Sequence, residues 1–176
     1  FDGTTDIEAS STSLVRQLEE LATAISSTFS DLSAGSGIPL LGFDFSPAPF
    51  PEDWCSLGGA VEKLGLMHIG GSGSLAAVAV VANSLDKGKW PRVGFNGMML
   101  PVLEDSVLAR RAEQGLLTVK DLLLYSTVCG TGLDTIPLAG ATTKEQLESI
   151  LMDVAALSVR LAKPLTARLM PIPGKA

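Results

Sequence analysis

The segment VCGTGLDTIPL, Val128 to Leu138, sets a cysteine, two glycines and an aspartate almost side by side. Cys129 offers a nucleophile, a radical carrier or a soft ligand, and Gly130 and Gly132 let the backbone adopt positive φ or approach another group closely. Backbone N–H groups left free in such a loop can stabilise a thiolate. Against this, free cysteine is among the most buried residue types, and one without a histidine nearby in sequence is more often inert. Asp134 supplies an acid, a base or a hydrogen-bond anchor, or it simply caps the turn.

Two further charges stand inside apolar stretches. Asp44 lies in IPLLGFDF, where an ionised carboxylate must find a partner. Arg168 lies in LTARLMP, and by the two-residue period of a strand Thr166 and Arg168 share a face. Facing inward, Arg168 would bind Asp44, Asp134 or an anionic ligand; facing outward it is a solvated charge. Cys129, Asp134, Asp44 and Arg168 are therefore the candidate catalytic group. Carboxylates gathered at one mouth would suit a divalent cation or acid–base work, but for Glu104 and Asp105 helix capping is the preferred reading.

GGSGS, Gly70 to Ser74, precedes an apolar helix and could hold an anion at that helix N-terminus. Gly71, Ser72, Gly73 and Ser74 are the candidate cofactor-binding residues, although the lysine of a P-loop and the full GxGxxG spacing are missing, which favours capping by Ser72 or Ser74. His68, the only histidine, is read as partly buried and satisfied by backbone rather than as an acid or base. With one histidine and two separated cysteines, Cys55 and Cys129, no metal site is expected.

The elements that must position these groups follow from periodicity. Apolar residues at helical spacing predict a helix over Ser13 to Leu32, and Ile38 to Phe45 reads as a buried strand stopped by three prolines in SPAPFP. Short helices are expected at Ser56–Leu64 and, alanine-rich and buried, at Leu75–Leu85. Arg92–Met99 reads as a second strand, and Leu103–Glu113 as a helix with Glu104 and Asp105 in its first turn. Thr118 caps a helix to Val128 that delivers the chain into the CGTGLD loop. Thr143 and Gln146 resemble a capping box opening a long helix that Pro164 ends, and Leu165–Met170 is the third strand before an extended PIPGKA tail.

The 176 residues suit one domain, and a hydrophobic content of 46% is ample for a core. A net charge of −6 without basic clusters argues against nucleic acid as a partner. The longest apolar run, Leu75–Ala82, is too short to span a bilayer. The start, Phe1-Asp2-Gly3, shows no secretory leader, so reduced thiols in an intracellular, cytoplasmic protein are expected, with an organelle as the alternative if a leader was removed. Alternating helices and strands favour an α/β fold, yet three strands leave apolar helix faces uncovered.

At CGTGLD the sequence reaches a family resemblance. YSTVCGTGLDTIPLAG (Tyr125–Gly140), KPLTARLMPIPGKA (Lys163–Ala176), GMMLPVLED (Gly97–Asp105) and GFDFSPAPFP (Gly42–Pro51) together resemble the family called domain of unknown function 711. The resemblance implies a fold like that of pyruvate formate-lyase, an α/β barrel of about ten strands with a loop projecting into its centre. It places Cys129 near the barrel interior by analogy with glycyl radical enzymes. The radical-bearing arginine-valine-x-glycine-tyrosine loop of those enzymes is absent, so their chemistry does not carry over.

Family members are more than twice as long, so residues 1–176 are expected to be a single partial domain from the C-terminal half of such a barrel, incomplete in this chain. The implied partners are an additional polypeptide completing the barrel or a homo-oligomer, and an anionic small molecule. The expected function is a small-molecule-binding or enzyme-like α/β barrel with CGTGLD at its site. The alternative is a non-catalytic assembly subunit that binds a protein through apolar faces.

Overall fold

The computed structural model describes residues 6–175, with Asp31 described for its backbone alone. The opening Phe1-Asp2-Gly3 and the last residue of the tail, Ala176, lie outside the described residues. The fold is mixed α/β: α1 (Ile7–Ser36), α2 (Leu57–Glu62), α3 (Ser74–Lys87), α4 (Ser106–Glu113), α5 (Val119–Tyr125), β1 (Gly132–Ala139), α6 (Lys144–Leu161) and β2 (Thr166–Ile172). Strands β1 and β2 pair in parallel, and α6 is the crossover that a parallel connection needs.

Local chemistry explains most helix ends. Asp6 caps α1, accepting hydrogen bonds from the N–H groups of Glu8 and Ala9, and Gly37 closes it in the left-handed region. Thr118 with Asp121, and Thr143 with Gln146, form reciprocal capping boxes on α5 and α6. Helix α6 ends at Ala162, before Pro164. The core joins Val61, Ile69, Val78, Leu85, Met98 and Leu108 to Leu133 and Ile136 of β1.

Asp105 makes the tightest of these local arrangements. It is fully buried and accepts from Val107 N–H and Leu108 N–H, at 3.0 Å each, as the N-cap of α4. The same carboxylate accepts from Ser56 Oγ (2.6 Å), Leu57 N–H (2.7 Å) and Gly58 N–H (3.1 Å) at the start of α2. One side chain thus serves two helix N-termini, whose free amide groups and dipoles both favour a carboxylate. The capping expected of Asp105 holds, but Glu104 is in a separate 3-10 turn, Val102–Glu104, not in the first turn of α4.

The strands require corrections. Ile38–Phe45 and Arg92–Met99 are not sheet strands; they meet only at the isolated parallel bridge Phe43–Arg92. Side chains have taken the place of a ladder there. Asp44 accepts from the N–H groups of Phe95 and Asn96 (2.9 Å each), and Asn96 Oδ1 accepts from Phe45 N–H (3.2 Å). Asn96 Nδ2 donates to the carbonyls of Phe43 (3.1 Å) and Val93 (2.7 Å). Such side-chain bonds compete with sheet pairing for the same backbone groups. Conversely, the CGTGLD stretch is not all loop, because β1 begins at Gly132. The third expected strand is β2, which extends to Ile172 and so includes the first residues of the tail.

The sheet of the described residues therefore has two strands. Many large apolar groups face solvent: Met152 and Val159 on α6, Leu32 on α1, Trp54 in the 3-10 turn Asp53–Cys55 and Met67 in a loop. No helix of the described residues is long and apolar enough to cross a membrane.

Asp105→Ala strands buried N–H groups at two helix starts. Urea unfolding should show a loss of about 3 kcal/mol or more, with Asp105→Asn, which keeps one acceptor, intermediate. A loss below about 1 kcal/mol would mean that other groups cap α2 and α4.

Candidate functional site

The N-terminal end of β1 is assembled by three segments. Helix α5 ends at Tyr125, and a turn carries Cys129 back so that its N–H donates to the Tyr125 carbonyl (2.8 Å). Gly130 N–H donates to the Met98 carbonyl (2.8 Å), and the Phe95 ring occupies the space that a Cβ at Gly130 would need. Gly132 has φ +110°, and a Cβ there would collide with the Thr166 carbonyl of β2. Glycine at both positions is thus a packing requirement.

Cys129 is buried, as is the thiol's usual lot, and neither cysteine is in a disulfide. Burial pushes its thiol above the ordinary range, outweighing the N–H groups of Gly132 and Thr131 and the Lys163 ammonium, which favour the thiolate. Lys163 Nζ also donates to the carbonyls of Ser126 (2.9 Å) and Cys129, tying the end of α5 to the segment before β2. The amides expected to stabilise a thiolate are in place, but burial tips the balance toward the thiol.

Asp134 and Arg168 meet. The register of the sheet slips between Leu133 and Ile136, so that Asp134 and Thr135 together stand opposite Arg168 in a β-bulge. Thr135 has φ +45°, a costly conformation for a β-branched residue, and its buried Oγ1 has no hydrogen-bond partner among the described residues. Arg168 Nε donates to Asp134, whose side chain is 6% exposed while that of Arg168 is 56% exposed. Arg168 Nη2 also reaches Glu104 Oε1 at 3.4 Å. Along β2, Ala167 and Leu169 pack into the core while Thr166, Arg168 and Met170 are exposed, so Thr166 and Arg168 share a face. Pro101 bridges to Asp134, which brings the 3-10 turn and its Glu104 to this face.

Asp44 does not join this group. It is exposed and bound to Ser46, Phe95 and Asn96, not to Arg168. The Ser46 hydroxyl, then the Phe95 and Asn96 N–H groups, hold its carboxyl far below the usual range. Its link to the site is indirect, through the Phe95–Met98 segment that backs Gly130.

The GGSGS turn is closed on itself. Gly73, in the left-handed region, is the N-cap of α3 and no side chain caps that helix, so neither Ser72 nor Ser74 has the expected capping role. Ser74 Oγ and Tyr125 Oη instead accept from Gly70 N–H at 3.1 Å each, and Gly71 N–H donates to the His68 carbonyl. His68 is partly buried with Nδ1 3.1 Å from the Ile69 carbonyl, as expected of a backbone-satisfied histidine. Among the described residues no group of three or more His, Cys, Asp and Glu is placed to hold a metal ion. Glu104, for which the sequence favours helix capping, instead approaches Arg168; nothing in its local sequence signals an arginine 64 positions away.

Comparison with known proteins agrees with the motifs. The family described as uncharacterised ACR (DUF711) matches residues 3–176. A UPF0210 protein of Pyrobaculum aerophilum is 37% identical over 148 residues, covering 82% of this chain and 33% of its own length. UPF0210 proteins of Syntrophobacter fumaroxidans (38% over 143 residues; 79% of this chain, 31% of theirs) and Bifidobacterium animalis (36% over 143; 79% and 32%) are similar. The chain spans about a third of the length of these curated relatives.

In the folded protein at pH 8, iodoacetamide should modify the half-buried Cys55 at least about tenfold faster than Cys129, and both alike in urea. Faster labelling of Cys129 would contradict a buried, protonated thiol. Because the Asp44 carboxyl is lowered on folding, its contribution to stability is complete above the ordinary aspartate value, about pH 4, and is lost as pH falls further. Asp44→Asn should therefore give a shallower fall of stability on acidification below about pH 4, measured by denaturant unfolding at several pH values.

Proposed function

The chain belongs to the DUF711 family, and from that premise we propose that it is part of an α/β module that binds a small anionic molecule on the open sheet face at Arg168. The observation that carries this reading is the half-exposed Arg168 guanidinium held from below by the buried Asp134 carboxylate. A buried acid fixes the plane and direction of a guanidinium while leaving its outer N–H groups to a ligand. Glu104, at 3.4 Å and half exposed, is the weaker partner, worth about 0–1 kcal/mol, and a ligand carboxylate or phosphate can take its place.

Cys129 then lies in the loop that leads into β1, and Asp44 steadies the segment behind that loop. In an enzyme-like version of this reading, exposure of Cys129 to water or to substrate would let the Thr131 and Gly132 amides and Lys163 stabilise its thiolate. A barrel of the pyruvate formate-lyase type, with Arg168 on its inner face, would be completed by further polypeptide.

A second reading has its own observation. On α6, Leu151, Met152 and Val159 are 47%, 72% and 83% exposed, an apolar surface that suits assembly with a further polypeptide or a second copy.

The site reading is tested by titrating succinate and inorganic phosphate while following backbone amide chemical shifts. Shifts should centre on Gly132–Thr135 and Thr166–Met170, vanish in Arg168→Ala, and occur at about two- to fivefold lower concentration in Glu104→Gln, which removes the competing carboxylate. Identical titrations in Arg168→Ala would sink the reading.

A further inference from the structure

A second concavity lies away from Arg168. It is a cleft of about 670 Å³ walled by Val102, Leu117, Leu122, Ile136, Leu138 and Ile172. That volume is in the range of small-molecule sites, and the wall is mostly aliphatic, with Ser106, Thr118 and three charged residues completing it. The cleft also reaches Ala139 and Ile172, the last residues of the two parallel strands, and the carboxyl ends of parallel strands are where α/β sheets bind ligands.

The charges at its rim are few and unequal. Arg110 and Lys175 face a single carboxylate, Glu113, in a protein whose net charge is −6. Arg110 is engaged by Asp53, with Nη2 at 3.1 Å from Oδ2. Lys175 is in no ion pair among the described residues, while its backbone is pinned by Gly140 N–H donating to its carbonyl (3.0 Å) and by its own N–H donating to the Ile172 carbonyl (3.1 Å). The cleft thus offers a mostly aliphatic trough whose lining includes Lys175, held by its backbone and in no ion pair among the described residues.

We propose that this cleft binds an aliphatic carboxylate, with the chain along Leu117, Leu122, Ile136 and Leu138 and the carboxylate on Lys175. Size, wall chemistry and charge favour this occupant over an uncharged lipid, which would leave the ammonium unused, and over a dicarboxylate, whose second charge would meet Glu113 or the aliphatic wall. The site is independent of the Arg168 face, so either can fail alone.

The test uses octanoate and octanol as probes in calorimetric titration of the full chain. Octanoate should bind at one site per chain and about fivefold more tightly than octanol, the difference expected of one partly exposed ion pair. Lys175→Ala should bring octanoate down to the octanol level without changing octanol, and Ala109→Phe, which fills the cleft from α4, should remove both. Equal binding of the two probes, an unchanged preference in Lys175→Ala, or unchanged binding in Ala109→Phe would overturn the proposal, the last by locating the probe on other exposed apolar surfaces. A chain that is dimeric with the cleft closed to octanoate would overturn it in favour of a second copy as the occupant.

Discussion

The Asp105 carboxylate is the constraint on which most of the architecture depends. A fully buried negative charge is tolerable only when donors surround it, and here they come from two helix starts and a serine hydroxyl. Those bonds fix α2 against α4, and Gly58 lets the helices close, since a Cβ there would stand 2.8 Å from Leu108 Cδ2. They also fix the residues just before Asp105. Glu104 and Pro101 reach Arg168 and Asp134, so the same carboxylate that organises the helical layer sets the position of the polar sheet face.

The polar face depends in turn on an irregular strand. Regular pairing would place one β1 residue opposite Arg168; the bulge places two, and Asp134 swings under the guanidinium at the expense of a left-handed threonine. Strain of this kind persists only where surrounding structure over-determines it, and here Pro101 on one side and β2 on the other hold β1 in place. Cys129, just before β1, is governed by a different balance, in which burial outweighs the backbone N–H groups and the Lys163 charge that would stabilise its anion.

Much of the helical layer was legible in the sequence because its signals are local. The Thr118 cap and the Thr143–Gln146 box act within four residues, and each does what its residue type suggests. The strands were less legible because an apolar run says nothing about what its backbone pairs with. In Ile38–Phe45 the runs are apolar enough for a strand, but Asp44 and Asn96 claim the amides. In β1 the reverse holds: glycine, aspartate, threonine and proline obscure a strand whose bulge breaks the alternation that would reveal it. The Asp134–Arg168 pair was among the partners that residue chemistry allowed, whereas the backbone partners of Asp44 and the approach of Glu104 arise from tertiary placement alone.

The outer edge of β2 has a consequence beyond the site. Seven residues, Thr166 to Ile172, pair on one side with β1 and on the other with no strand among the described residues; apolar and polar residues alternate over Thr166–Leu169, and the rest, Met170–Ile172, is apolar. Such an edge is a template: its row of unmatched N–H and C=O groups will accept any extended segment in register. Were a second copy to seat there, apparent stability would depend on protein concentration as well as on sequence.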